Sequence, residues 1–324
     1  MTNTTASAPF PPFRRVSDLL RDNARQRPQA NALADDDSAL DWAALDALVD
    51  RVAASLQQTG LQSGDVVAVC AASSVRYAAV YLGALRTGVV VAPLAPSVTP
   101  EAMASMLGDA QARLLFADAQ GRAAVPPAVM EGAGALPLVA LDDAGAGTPW
   151  SEWLAPEGAA PQPVDVGPEH PFNIIYSSGT TGNPKGIVQS HGMRWAHLVR
   201  GLAQGYGPDS VTLLATPLYS NTTLVSFFPG LCWGGSVRLM AKFDALRYLQ
   251  TAPAFTEHYH DDEGDDSVDA GPTGGRNWDG RAQSGHEQAL APLLSPREMG
   301  NRDAAAVVAK LRAGPLAAQF RQTY

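Results

Sequence analysis

The sequence predicts an α/β chain built on a doubly wound sheet with parallel-strand rhythm. Three observations carry this. From Gly64 onward short apolar runs alternate with stretches of helical period, the rhythm of strand, crossover helix and next strand. A ten-residue string, Ser177-Ser178-Gly179-Thr180-Thr181-Gly182-Asn183-Pro184-Lys185-Gly186, leaves one apolar run and feeds another, the placement of a ligand loop at the end of a sheet strand. After about residue 250 the large apolar side chains thin out, so a sheet-forming part over 1–250 is followed by a tail of low order over 251–324. A chain of 324 residues, 46% hydrophobic and 17% charged, is long enough for about two domains.

Residues 14–31 read as a surface helix ending near Arg27, because Pro28 disfavours helix in the residue before it. A hairpin follows, with 32–34 and 39–41 flanking the turn-forming cluster Asp35-Asp36-Asp37-Ser38. Leu45, Leu48, Val49, Val52 and Leu56 recur at helical spacing over 42–58, and Gly60 ends that helix. A strand over 66–70, a helix over 75–86 and a strand over 89–92 come next. Thr99 caps a helix that Pro100 opens and that runs to Leu107, and 113–117 is the following strand. Residues 120–169, rich in Gly, Pro and Ala, predict loops around short strands, 136–141 being the strongest. A strand over 172–176 runs into the loop string, and Ile187-Val188 re-enters the sheet. A helix over 190–202, a strand over 211–216, a helix over 224–232 and a strand over 237–240 complete the series, with Lys242-Phe243-Asp244 after it.

Charge and cysteine usage exclude several classes. With 23 Lys and Arg against 32 Asp and Glu the net charge is −9, so no broad grip on nucleic acid or on an anionic membrane is expected, and an anionic ligand needs a local pocket. Cys70 and Cys232 lie far apart without zinc-ligand neighbours, which argues against a disulfide framework and fits a reducing, cytoplasmic setting. Residues 1–13 lack the basic start and apolar stretch of a targeting peptide. Residues 210–237 carry no charge, yet Pro217, Pro229 and the polar run Ser220-Asn221-Thr222-Thr223 predict strand, loop and helix of a core there, not a membrane span. Only three Ile and three Lys occur in the chain, the bias of GC-rich coding DNA, whose alternative frames carry few stops.

In the loop string Gly179, Gly182 and Gly186 let backbone N–H groups approach an anion closely, Ser178, Thr180 and Thr181 add hydroxyl donors, and Lys185 adds charge. The Walker spacing G-x-x-x-x-G-K is not met. Residues 176–186, YSSGTTGNPKG, resemble the signature loop of the adenylate-forming (AMP-binding) superfamily, which includes acyl-CoA synthetases, luciferase-like enzymes and peptide-synthetase adenylation domains. Further stretches are similar to that family: 33–45, 64–69, YLGALRTGVVVAPLAP over 81–96, Thr216-Pro217-Leu218-Tyr219-Ser220-Asn221, and 234–244, so that the resemblance covers about 14–250. It implies an AMP-forming acyl-CoA synthetase of fatty acid metabolism. ATP, as its Mg2+ complex, would react with a small-molecule carboxylic acid to give acyl-adenylate, and coenzyme A would take the acyl group. By motif position Ser178, Gly179, Thr180, Thr181, Gly182 and Lys185 would hold the ATP phosphates, with Thr181 and Lys185 acting in catalysis. Tyr219, Ser220 and Asn221 would line the acyl pocket, with core packing an equal alternative.

Other constellations carry less. His191 and His197 stand six apart, unlike the i, i+4 pair of a helical zinc site, and read as ordinary helix residues. The acidic run 261–269 has Asp266 where an EF-hand needs Gly and Pro272 where it needs Glu. Gly132 and Gly134 lie in a loop-rich stretch and support no dinucleotide fingerprint. No metal ligands are assigned.

The chain also lacks strings that the family carries downstream: Tyr-Gly-x-Thr-Glu, whose Glu helps hold magnesium, Thr-Gly-Asp, which supplies a ribose-binding carboxylate, and a C-terminal Pro-Lys…Gly-Lys. Lys310 sits in Val-Ala-Lys-Leu-Arg. An impaired, truncated synthetase and a catalytically dead nucleotide-binding remnant are therefore the two readings. In the tail Leu, Ile, Val and Phe number ten, about 14% and below the roughly 20% a packed core wants. Out-of-frame translation is the favoured reading of 251–324 and a genuine divergent tail the alternative, with helical pattern only over 302–316.

Overall fold

Capping chemistry and apolar spacing fix the first helices in the computed structural model, which describes residues 10–132, 134–177, 184–244, 248 and 302–313. Helix α1 (Val16–Gln26) buries Val16, Leu19 and Leu20. It ends two residues before Pro28, where the Arg27 N–H turns back to the Asn23 carbonyl. Strands β1 (Asn31–Ala34) and β2 (Ala39–Asp41) form the expected hairpin. Asp41 then caps α2 (Trp42–Gln58), its carboxylate accepting from the Ala44 N–H at 2.8 Å. Ser74 caps α3 (Val75–Thr87), which closes on Gly88 at φ 71°, and Thr99 caps α4 (Pro100–Asp109). Both faces of α3 are buried, which explains its nearly unbroken apolar run.

Strands β3 (Val66–Cys70), β4 (Val90–Pro93), β5 (Ala112–Ala117), β6 (Leu138–Ala140), β7 (Thr148–Pro149), β8 (Pro171–Ser177) and β9 (Lys185–Ser190) make one seven-stranded sheet ordered β7-β6-β5-β3-β4-β8-β9. All its pairs are parallel except β8 with β9. The chain steps from β3 to β4 on one side and returns to β5 on the other, the double winding that the sequence rhythm implies. Alternation sorts the faces. Val67, Val69, Leu114 and Phe116 pack with α2 and α3, whereas Ala68, Cys70, Leu115 and Ala117 pack with Met103, Met106 and Leu107 of α4. Short helices α5 (Ala119–Ala124), α6 (Pro127–Met130) and α7 (Trp150–Trp153) fill the stretch expected to be loops. Gly121 of α5 approaches β3 so closely that a Cβ there would lie 1.6 Å from the Cys70 carbonyl oxygen.

The sequence did not reveal that the strands divide between two sheets. After α8 (His191–Ala203), β10 (Val211–Leu214) and β11 (Ser236–Leu239) flank α9 (Asn221–Cys232), and they join the N-terminal hairpin in a second sheet ordered β10-β11-β1-β2. β1 pairs parallel with β11, Leu33 facing Val237. α9 starts three residues earlier than apolar spacing suggests and contains Pro229. No described helix is long and apolar enough to cross a membrane. The first compact unit closes at Phe243; in the second, α10 (Ala304–Ala313) follows Asp303, whose carboxylate accepts from the Ala306 N–H at 2.8 Å. The remaining tail positions, 251–301 and 314–324, lie outside the described residues.

His191 opens α8 with its ring edge-on to Phe172, centroids 4.9 Å apart. Burial first, then the nearby charges of His170 and Arg15, hold its pKa down at about 4. An unfolded histidine titrates near 6.5, so the unfolded state gains the proton first and stability falls as pH drops from about 6.5 towards 4. In His191→Gln the urea midpoint should fall less steeply across that window, and an unchanged slope would remove His191 as the cause.

Candidate functional site

The loop string hangs from an antiparallel pair. In the β8–β9 register Tyr176 faces Gly186 and Ser177 faces Lys185, so the connection leaves the sheet at the carboxyl end of β8. Ser178, Gly179, Thr180, Thr181 and Gly182, all expected phosphate ligands, lie outside the described residues, and the structure defines the two ends that hold them. Lys185 is exposed at the first position of β9, and no described carboxylate pairs with it.

The sequence string acquires a geometric reason at its ends. The Tyr176 hydroxyl lies 2.7 Å from Asp109 Oδ2 and 3.0 Å from the Met106 carbonyl oxygen at the end of α4, and its proton is shared between them. Burial first, then the bond to Asp109, raises the Tyr176 pKa. Across the ladder a Cβ on Gly186 would come 3.0 Å from Ile174, 3.1 Å from Asp109 Oδ2 and 3.2 Å from the Tyr176 ring. The aromatic that begins the string lies over the glycine that ends it.

The second predicted segment lies where β10 gives way to α9. Tyr219, Ser220 and Asn221 are half-buried. Ser220 occupies the N-cap of α9 without capping through its side chain, while Asn221 Oδ1 accepts from Arg194 Nη2 at 3.1 Å. The Thr216 and Thr223 hydroxyls bond at 2.6 Å, and the Leu218 N–H donates to Ser73 Oγ at 2.9 Å. Ser73 follows β3, so the segment is tied to the same carboxyl rim of the parallel strands from which the loop departs.

Two residues at this site carry no local sequence signal. Asp109 is one of many surface-type carboxylates. Arg194 is a helical arginine, yet it is 1% exposed, lies 5.4 and 5.6 Å from the Phe172 and Phe228 ring centroids, and bonds Gln189 and Asn221. Its Nε and Nη1 have no partner among the described residues. Burial lowers its pKa, and the two rings offset part of that desolvation. Among the described residues no group of three or more His, Cys, Asp or Glu could hold a metal.

Comparison with known proteins gives these features a context. The sequence profile of the AMP-binding enzyme family matches residues 20–259, and that of the di-haem cytochrome c peroxidase family matches 248–324. Protein Y of Streptomyces griseus is 33% identical over 249 residues, 72% of this chain and 80% of that protein. The AMB antimetabolite synthetase AmbB of Pseudomonas aeruginosa is 31% identical over 247 residues, 73% of this chain and 19% of that protein. A 3-hydroxybenzoate–CoA ligase of Aromatoleum is 34% identical over 181 residues, 51% of this chain and 33% of that protein. The chain thus spans a third or less of both synthetase and ligase. Among solved structures the N-terminal domain of FACL13 from Mycobacterium tuberculosis superposes with a TM-score of 0.66 at 23% identity, covering 74% of this chain and 60% of that one.

Proposed function

Because the chain belongs to the AMP-binding enzyme family, we propose that it is the N-terminal part of an AMP-forming acid–thiol ligase, an acyl-CoA synthetase by ancestry. The observation that carries the reading is the loop string, suspended at the carboxyl end of β8 with Lys185 exposed at its exit. Ser178, Gly179, Thr180, Thr181, Gly182 and Lys185 would hold the triphosphate of ATP. Magnesium, when bound, would neutralise phosphate charge. Tyr219, Ser220 and Asn221 would meet a small carboxylic acid at the rim below. Coenzyme A as acceptor rests on ligase-type relatives such as the 3-hydroxybenzoate enzyme, while AmbB-type relatives are named as synthetases of another product class. The cytoplasm remains the compartment favoured by two unpaired, buried cysteines.

The second reading, a nucleotide-binding remnant without ligase activity, is favoured by the absence of the downstream strings from the 324 residues. As for the tail, a family pattern running over 248–324 weighs against out-of-frame translation, which carries no such pattern, and favours in-frame coding sequence. Residues 251–324 contain no cysteine, so they offer no Cys-x-x-Cys-His site for covalent haem.

Both readings share a test. Lys185→Ala removes a charge-assisted contact to phosphate, a loss of about ten- to hundredfold in ATP affinity. Calorimetric titration with equal affinity for the two proteins would remove Lys185 from the site.

A further inference from the structure

Asp109 stands where a carboxylate is disfavoured. It is the last residue of α4, at the negative end of the helix dipole, in a last turn without a basic residue. No described cation pairs with it; its partner is the Tyr176 hydroxyl. Tyr176 lies opposite Gly186, whose missing Cβ lets both the ring and the carboxylate come within about van der Waals contact of the β9 backbone. β9 is the outermost strand of its sheet, and Ile187 and Val188, which point to opposite faces, are 52% and 60% exposed. The far end of β9 is held by buried Gln189, which bonds Arg194, whereas near Lys185 the described contacts that hold it are the ladder to β8 and the Asp109–Tyr176 clamp beside Gly186.

We propose that Asp109 is a positioning residue for Lys185, acting through the Tyr176 hydroxyl to fix the β8–β9 pair at the register that sets Lys185 opposite Ser177. This rests on the nucleotide reading for its consequence, though not for its geometry. α4 contributes no ligand-binding group of its own in this scheme. It supplies an anchor, the Asp109 carboxylate beside the Met106 carbonyl, and both accept from the Tyr176 hydroxyl.

Three variants read the clamp by titration of ATP into the 324-residue chain. Tyr176→Phe and Asp109→Ala should each weaken ATP binding about five- to tenfold, while Asp109→Asn, which keeps an acceptor oxygen, should stay within about twofold. The Tyr176→Phe/Asp109→Ala double variant should bind no more weakly than Tyr176→Phe alone, because Asp109 acts through the Tyr176 hydroxyl. Unchanged affinity in both singles, or losses that multiply in the double, would overturn the proposal. Failure of the nucleotide reading shows separately, as absence of ATP binding or as indifference to Lys185→Ala. Amide exchange then decides the clamp in the free protein. Tyr176→Phe should speed exchange across 185–188 at least fivefold while β3 amides keep their rate, and equal rates across 185–188 would overturn the clamp whatever ATP does.

Discussion

Gly121→Ala should abolish cooperative folding, or cost more than about 3 kcal/mol if a folded state survives. A methyl carbon there would lie 1.6 Å from the Cys70 carbonyl oxygen and 2.6 Å from its carbonyl carbon. These are backbone atoms at the end of β3, so no side chain can rotate away. Relief requires α5 to move off the sheet, taking with it Asp118, which accepts from both the Gly121 and the Ala72 N–H at 2.8 Å. The same substitution at Gly108, inside α4 with nothing within 4 Å of a new Cβ, should add about 0.5–1 kcal/mol by helix propensity alone. Urea unfolding of the pair therefore gives opposite signs from one chemical change. A mild loss at Gly121 would mean that α5 does not sit against β3 as described.

Carboxylate-dependent pyrophosphate release by the purified 324-residue chain should stay at background. Phosphate donors can hold a nucleotide, but acceleration comes from groups placed against the charge that develops in the transition state, and each is worth on the order of 10²–10³ in rate. The sequence contains neither the string whose Glu helps hold magnesium, nor the ribose-binding string, nor the terminal lysine string. Loss of three such contributions leaves little above the uncatalysed reaction. A panel of aliphatic, aromatic and amino acids, assayed with ATP and magnesium, checks this. Turnover with any of them would show that residues of this chain replace the missing strings.

Sequence reasoning read the elements better than their arrangement. The Thr99 cap was legible because it acts locally, accepting from an N–H three residues on; Asp41 and Ser74 cap in the same way but were not singled out. Double winding was legible in the alternation of strand and helix. The split into two sheets was not, since pairing of Leu33 with Val237 is set by packing across the whole unit and leaves no local trace. The start of α9 was placed too late because Asn221, Thr222 and Thr223 break the apolar spacing, and Thr223 spends its polarity on Thr216 within the fold. At the site, the loop glycines and Lys185 were named from the motif they resemble. Asp109 and Arg194, which bond Tyr176 and Asn221, could not be, because an acceptor for a tyrosine 67 residues away or a cation over two phenyl rings carries no motif.

The pairing of β1 with β11 has a consequence for biosynthesis. The first strand of the smaller sheet lies about 200 residues upstream of its parallel neighbour, and ribosomes add roughly 5–20 residues per second. For about 10–40 s the N-terminal hairpin emerges with one edge open, while the seven-stranded sheet can assemble behind it. Translation speed across this interval, more than equilibrium stability, then governs how much nascent chain reaches the native pairing before a chaperone or another hairpin meets that edge.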